Sequence, residues 1–499
     1  MESGNPSRSS SSVVFPASLT LCLGIALWAT VFPDTALPAL QTVSKTALGL
    51  AGDAFLWSAS AFFVLLLGLA ASPIGKQRLG PADSRPDFST PSWLSMLFAA
   101  GMGTGLVVWG IAEPLTHHFN PPSDVAPPTS MAFILTNLHW GFHAWGIYAM
   151  GALILAYFGF VKGQSYLPSS PIRSEFSGAW VAPVAAGADI LAIMAVAFGV
   201  AGSIAMGTMQ VHSGLTELTG VPAVSMATDW GILLALFVAY MASSATGLDK
   251  GIRILSNLNM LAAIGLLVAL FWWGGPADMM ASIGTRTAEY VAAMPVLLTH
   301  LNPYEAPRGW FEGWTLVYMV WWVAWTPFVG IFIARISKGR TIREFVLGVM
   351  LVPTLFSALW FGVFGQVGLN AAATDPEAYK ALLNEDVTSI MFAVFDTLPA
   401  PQFLSGLATV LASIFLVTSV DSATFVLGML TSDGALNPKT SRKWVWGVVL
   451  GLLGAGFTMT NNIDSIKALL VAGSVPFLGV LLLQLVAFGR SLWRDRGAA

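Results

Sequence analysis

Two short apolar segments hold an unusual set of side chains. Leu138–Tyr148 reads LHWGFHAWGIY and Tyr318–Phe328 reads YMVWWVAWTPF. In the first, Trp140, Trp145 and Tyr148 cover one broad face of a helix; in the second, Tyr318, Trp322 and Trp325 share a face, with Trp321 beside them. Indole faces attract a cation that cannot donate hydrogen bonds, and each contributes ~2 kcal/mol or more once water is excluded. A carboxylate in the same place would over-bind and compete with a ligand's own negative end, and no Asp or Glu is expected beside these rings. The ordinary alternative is the aromatic belt at a membrane surface. Trp322, however, lies about ten residues into its apolar stretch, close to mid-bilayer at 1.5 Å per residue.

The elements that carry these rings must lie in lipid. Of 499 residues 55% are hydrophobic and 10% charged, against about 25% charged in an ordinary soluble domain. The net charge of −3 carries no argument for a nucleic-acid partner, and none is expected. The single cysteine, Cys22, excludes a disulfide framework and a cysteine metal cluster. The N-terminal apolar run is too long for a signal-peptide core and is read as a first span.

Hydropathy places spans near 14–34, 53–73, 93–112, 129–160, 182–211, 226–246, 253–274, 312–334, 343–369, 401–430, 443–460 and 464–488, and an amphipathic interfacial helix near 283–301. The expected fold is an all-α polytopic membrane protein of twelve transmembrane helices. With both termini cytoplasmic, eighteen of the 23 basic residues face inward; Lys45, Arg286, Arg308, Lys380 and Lys467 stay outside. That asymmetry fits the positive-inside rule. It divides the chain into a cytoplasmic tail (1–13), two peripheral helices with a linker (14–92), a first five-helix unit (93–274), a periplasmic loop with the interfacial helix (275–311), a second unit (312–488) and a short basic tail (489–499).

Two spans look interrupted. The third contains AAGMGTGLVVWG, with Gly101, Gly103 and Gly105 at alternate positions, and each costs about 1 kcal/mol against Ala in a helix. Close helix packing through small residues would explain them; so would an unwound segment whose backbone meets a substrate or ion. The eighth carries WTPFVG, with Pro327 and Gly330, and is expected to break there. Units starting at spans three and eight would run in opposite directions, the inverted-repeat plan of secondary transporters.

GMGTGLVVWGIAEPL, LHWGFHAWGIY, WWVAWTPFVGIFIARISKGRTIREF and VTSVDSAT, in this order between about residues 88 and 432, resemble the blocks of the betaine/choline/carnitine transporter family. The resemblance implies a LeuT-like fold of 5+5 inverted helices behind two extra ones, in the bacterial inner membrane as a homotrimer. It implies uptake of a small quaternary ammonium or sulfonium zwitterion. Trp140, Trp145, Tyr148 and Trp322 match the aromatic box, beside which Trp321 is a further candidate contact; Trp325 matches an aromatic on the cytoplasmic exit side. Gly101, Met102, Gly103 and Gly105 match the unwound segment facing the substrate's polar end.

The resemblance also implies sodium as the coupling ion, with no organic cofactor. One sodium site maps to Ala99 and Met102 through backbone oxygens, the Phe415 carbonyl, and the hydroxyls of Thr418 and Ser419; hydrogen bonding between helices is the alternative use of those hydroxyls. A second family site falls on Val196 and Val200, which have no oxygen to give, so a single site is expected. Met260, where sodium-independent members carry a positive side chain, leaves room for an ion, and Gly105, Asp in many proton-coupled choline members, favours a zwitterion. Proton-coupled or sodium-independent movement of carnitine, choline or dimethylsulfoniopropionate is the alternative. The short C-terminal tail argues against stress gating.

Among other residues, His139 and His143 are four apart, but no third ligand is placed with them, so packing is expected rather than metal binding. Glu113 is read as starting a loop and Asp421 as a cap or pair near the cytoplasmic side. RISKGRTIRE is read as a positive-inside anchor that touches anionic lipid. No P-loop, HExxH or GxSxG pattern appears, so an enzyme is not expected, and an occluding cage of rings does not suit a channel.

Overall fold

A chain in lipid must satisfy its backbone groups internally, which leaves helices as the natural solution for a sequence this apolar. The computed structural model describes residues 8–101, 103–246, 253–460 and 463–497. Among these the structure is all-helical, apart from one isolated bridge between Arg78 and Thr341. In chain order the helices are α1 (Arg8–Val31), α2 (Pro33–Ala71), α3 (Thr90–Gly101), α4 (Thr104–Phe119), α5 (Pro128–Trp140), α6 (Phe142–Ala156), α7 (Ser170–Glu175), α8 (Val181–Thr219), α9 (Met226–Thr246) and α10 (Arg253–Trp273). There follow α11 (Pro276–Thr299), α12 (Arg308–Phe311), α13 (Val317–Ile336), α14 (Ile342–Ala372), α15 (Pro376–Glu385), α16 (Ile390–Phe395), α17 (Pro401–Leu430), α18 (Thr440–Thr458), α19 (Ile463–Ser474) and α20 (Phe477–Gly497).

Nine helices among the described residues are individually long and apolar enough to span, or ten if α10 and α11, bent by 108°, count as one. Two of the twelve expected spans lie outside that count. Residues 93–112 are divided between α3 and α4, and 443–460 fall in α18, which includes Arg442 and Lys443. The span expected at 53–73 begins much earlier: α2 runs 39 residues from Pro33, about 58 Å against a ~30 Å core.

The interruption expected at Pro327 is absent. Pro327 sits inside a continuous α13, and a transmembrane helix tolerates it because neighbours satisfy the freed backbone group. Gly330 serves contact instead, since a Cβ there would meet the backbone N of Ala152 on α6 at 3.4 Å. The irregularity of this span lies at its start, where Glu312–Leu316 form a π-helical turn between α12 and α13. The real breaks are between α3 and α4, at Gly141 between α5 and α6, and between α19 and α20.

Helices α4, α6, α8, α13 and α17 form the centre. Helix α6 packs on α13, α4 on α14, and α8 on α17, α18 and α19, while α17 also meets α9 and α10; α1 lies against α18 and α8, and α2 against α6 and α19. The link from α2 to α3 is tied to the start of α14. Buried Arg340 donates to Thr90 Oγ1 at 2.9 Å and to the Phe88 carbonyl at 2.7 Å, and its guanidinium lies 4.7 Å from the Trp93 ring centre. Trp93 Nε1 in turn donates to Ser337 Oγ at 3.0 Å. A planar fork and a stacked face are things a lysine lacks, so Arg340→Lys is expected to cost about 2 kcal/mol and to lower the melting temperature in detergent, read by thermal denaturation.

Candidate functional site

Helix α3 stops at Gly101 and α4 starts at Thr104, with Gly103 extended between them (φ −132°, ψ −164°). The break opens onto a cavity walled by Gly103, Gly105 and Trp109 from α4 and its lead-in, Trp140 and Tyr148 from α5 and α6, Ser203 and Met206 from α8, and Tyr318, Trp321, Trp322 and Trp325 from α13. The glycines are what lets rings approach the backbone. A Cβ at Gly105 would stand 3.0 Å from Trp140 Cη2, and one at Gly103 would stand 3.7 Å from Trp325 Cη2. A third glycine, Gly199 on α8, leaves room for Trp325, whose Cδ1 would lie 2.8 Å from an added Cβ.

Trp322 is the hub. Its ring centre lies 5.6 Å from that of Trp140 at an interplanar angle of 88°, and 4.9 Å from that of Tyr148 at 75°. Trp140 and Tyr318 are 5.6 Å apart at 65°. These edge-to-face contacts hold the rings together, and all four line the same cavity, where indole and phenol faces can attract a cation. Trp145 stands apart from the other expected box residues. It is wholly buried, backs Tyr148 edge-on at 5.6 Å, and is not among the residues that wall the cavity. Trp109, Ser203 and Met206 wall it without having been singled out in the sequence. Trp109 was within reach, four residues after Gly105 on the same helical face; Met206 and Ser203 left no comparable signal.

The polar support of the box corrects three expectations. Glu113 does not start a loop: it is inside α4 and fully buried. Nor are the rings free of acid, for Trp140 Nε1 donates to Glu113 Oε2 at 2.7 Å and the Tyr318 hydroxyl donates to the same oxygen at 2.5 Å. His139 has companions, since Glu113, His117 and His139 cluster with ligand atoms within 4.8 Å of one another. The reason is helical period: Gly105, Trp109, Glu113 and His117 follow at intervals of four, so one face of α4 carries glycine, indole, acid and imidazole in turn.

His139 Nδ1 lies 2.7 Å from Glu113 Oε1 and its Nε2 lies 3.0 Å from Thr315 Oγ1 on the π-helical turn. Trp322 Nε1 donates to the His139 carbonyl at 2.7 Å, left free where Gly141 interrupts the helix. His143 instead packs on Phe63, with Nε2 3.4 Å from Ser60 Oγ. Asp421 pairs as expected, accepting from Ser243 Oγ on α9.

Of the expected sodium ligands, Met102 lies outside the described residues, and Ala99 is described only as backbone in the last turns of α3. Thr418 and Ser419 are half-buried on α17. Thr418 Oγ1 donates to the Phe415 carbonyl at 3.1 Å and to the Ile414 carbonyl at 2.9 Å, while Ser419 Oγ faces the break, 3.7 Å from where a Cβ of Gly103 would be. Val196 and Val200 are buried in α8.

The model of the betaine/carnitine/choline family of transporters matches residues 13–497. The glycine betaine transporter OpuD of Bacillus subtilis is 36% identical over 97% of this chain and 95% of its own length. A glycine betaine/proline/choline/ectoine transporter of Vibrio parahaemolyticus is 36% identical over 93% of this chain and 84% of its own. A solved Na+-coupled sialic acid symporter in a substrate-bound outward-open state overlays with a TM-score of 0.45 at 13% identity, covering 89% of this chain and 86% of that one.

Because Gly105 leaves only the space of a hydrogen beside Trp140, Gly105→Val is expected to push the indole into the cavity. Saturable quenching of tryptophan fluorescence by tetramethylammonium should weaken about tenfold or more, with the melting temperature little changed.

Proposed function

The chain belongs to the betaine/carnitine/choline transporter family, and on that footing we propose that it imports a small quaternary ammonium or sulfonium zwitterion resembling glycine betaine, by alternating access. As a member of that family it is a multi-pass secondary transporter and not an enzyme. The observation that carries the substrate reading is the wall of the cavity: indole and phenol rings of Trp140, Tyr148, Tyr318 and Trp322, set close to perpendicular around one space. Methylated onium heads, ammonium or sulfonium, fit such a wall through cation–π attraction. The bare backbone at Gly103 and Gly105 suits the anionic end, which reads N–H groups rather than side chains. The relatives move glycine betaine and, in the Vibrio protein, proline, choline and ectoine as well.

The inverted 5+5 repeat is supported by how the helices pack. If α3–α4 is exchanged with α13, α5–α6 with α14, α8 with α17, α9 with α18 and α10 with α19–α20, the contact of α4 with α14 becomes that of α13 with α6. Likewise α8 with α18 becomes α17 with α9, α8 with α19 becomes α17 with α10, and α8 with α17 maps onto itself. The twelve-span arrangement, both termini cytoplasmic, in the bacterial inner membrane, rests on eighteen of 23 basic residues falling inside. A homotrimer surrounded by lipid follows from the family resemblance alone.

Sodium enters as a second cargo. The Phe415 carbonyl and the hydroxyls of Thr418 and Ser419 offer the oxygen donors a hard cation takes, beside the break after α3 to which Ala99 and Met102 would add backbone oxygens. Binding there would join α17 to the segment that meets the substrate, so that ion and substrate stabilise one arrangement. Proton-coupled or sodium-independent movement of carnitine, choline or dimethylsulfoniopropionate is the second reading, favoured by the buried cluster of Glu113, His117 and His139.

Uptake of radiolabelled glycine betaine into proteoliposomes, with sodium replaced by potassium at fixed pH, separates the two. Transport should collapse without sodium, and Thr418→Val with Ser419→Ala should raise the sodium needed about tenfold; sodium-independent uptake driven by a pH gradient would favour the second. Trp322→Leu should remove saturable betaine binding while leaving the protein expressed, and unchanged affinity would refute the box.

A further inference from the structure

Glu113 is the one acid buried at the aromatic cavity among the described residues, and its oxygens touch the rings rather than the space they enclose. Oε2 accepts from Trp140 Nε1 at 2.7 Å and from the Tyr318 hydroxyl at 2.5 Å; Oε1 lies 2.7 Å from His139 Nδ1. An indole N–H and a phenol both donate to Oε2, which makes that oxygen a double acceptor, as in an ionised carboxylate. His139 Nε2 lies 3.0 Å from Thr315 Oγ1, so both ring nitrogens have a partner. The other groups facing this cluster are His117, with Nε2 3.4 Å from Oε1, and Lys467 of α19, whose ammonium lies 5.6 Å from the Trp109 ring centre and donates to the Gly313 carbonyl at 3.1 Å.

We infer that Glu113 is a positioning residue that tunes the box for charge: it polarises Trp140 and Tyr318 through their own hydrogen bonds and acts as a counter-charge the substrate never touches. This rests on the onium reading above. A donor bonded to an anion passes electron density back into its ring, and it is the negative face of the ring that holds a cation. The carboxylate's field also reaches the cavity through a medium that screens little. Direct contact would hold the onium head too tightly and repel the substrate's own carboxylate. Placing the acid one ring away keeps the attraction and avoids the competition. Its place four residues after Trp109 on α4 puts it behind the same wall.

A purely structural role would weaken every ligand that fills the cavity, so the test compares two ligands of equal shape. Glycine betaine and its carbon isostere tert-butylacetate differ in the charge of the onium head and share the carboxylate. Binding of each to purified full-length protein, followed by calorimetry, should give wild-type protein a clear preference for betaine. In Glu113→Gln that preference should fall about tenfold, with tert-butylacetate affinity changed less than about twofold; Glu113→Asp should restore part of it. Tyr318→Phe, which keeps the ring and removes one donor to Oε2, should lower the preference in the same sense and serves if Glu113→Gln does not fold. Equal losses for both ligands, or an unchanged preference in the variants, would overturn the inference. A wild-type protein that does not prefer betaine would instead sink the onium reading itself.

Discussion

A carboxylate without water must be surrounded by donors, and here the donors are the walls of the cavity. Glu113 is fully buried, and Trp140, Tyr318 and His139 each turn a polar atom to it. Each of those rings has two or fewer polar atoms to place, so once Glu113 and, for His139, Thr315 have partnered them, each ring plane is held in one orientation. Trp322 is fixed by a different route, through the carbonyl of His139. The perpendicular arrangement of the box is therefore a consequence of where its hydrogen bonds go, as much as of how its apolar faces pack.

The same constraint accounts for the irregular backbone. Breaks in a membrane helix survive only where the released groups find partners or line a wet space. The gap after α3 faces the cavity; the one at Gly141 frees the carbonyl that holds Trp322; the π-helical turn at Glu312–Leu316 carries Thr315, which meets His139. Irregular backbone at spans three, four and eight thus converges on one site. Proline, by contrast, marks no break in α13, because its lost bond is absorbed by a helix packed on all sides.

In the proposed cycle the two cargoes would meet at that gap. Ser419 looks onto Gly103 from α17, while Trp325 looks onto it from α13. Gly103 brings no side chain of its own to the gap, and it lies against both helices on which alternating access would depend. Lys467, stacked on Trp314 at 4.4 Å and beside Trp109 at 5.6 Å, closes the same region from α19. Expected on the outer side of the membrane, it is almost fully buried, with its charge resting on indole faces.

Composition and period determined a great deal: an apolar, weakly charged chain had to be helical in lipid, alternate glycines had to weaken one helix, and Trp145 with Tyr148 in one segment, and Tyr318, Trp322 and Trp325 in the other, shared faces by spacing alone. What the spacing did not determine was which neighbour each face would meet. That Glu113 stands behind Trp140, that Trp145 backs the wall without lining it, that α8 supplies Ser203 and Met206, and that α13 runs unbroken past Pro327 were all decided when helices distant in the chain packed together. Periodicity within one helix reports which side chains travel together. Burial, hydrogen-bond partners and the fate of a proline depend on the helix opposite, and that is a property of the tertiary structure alone.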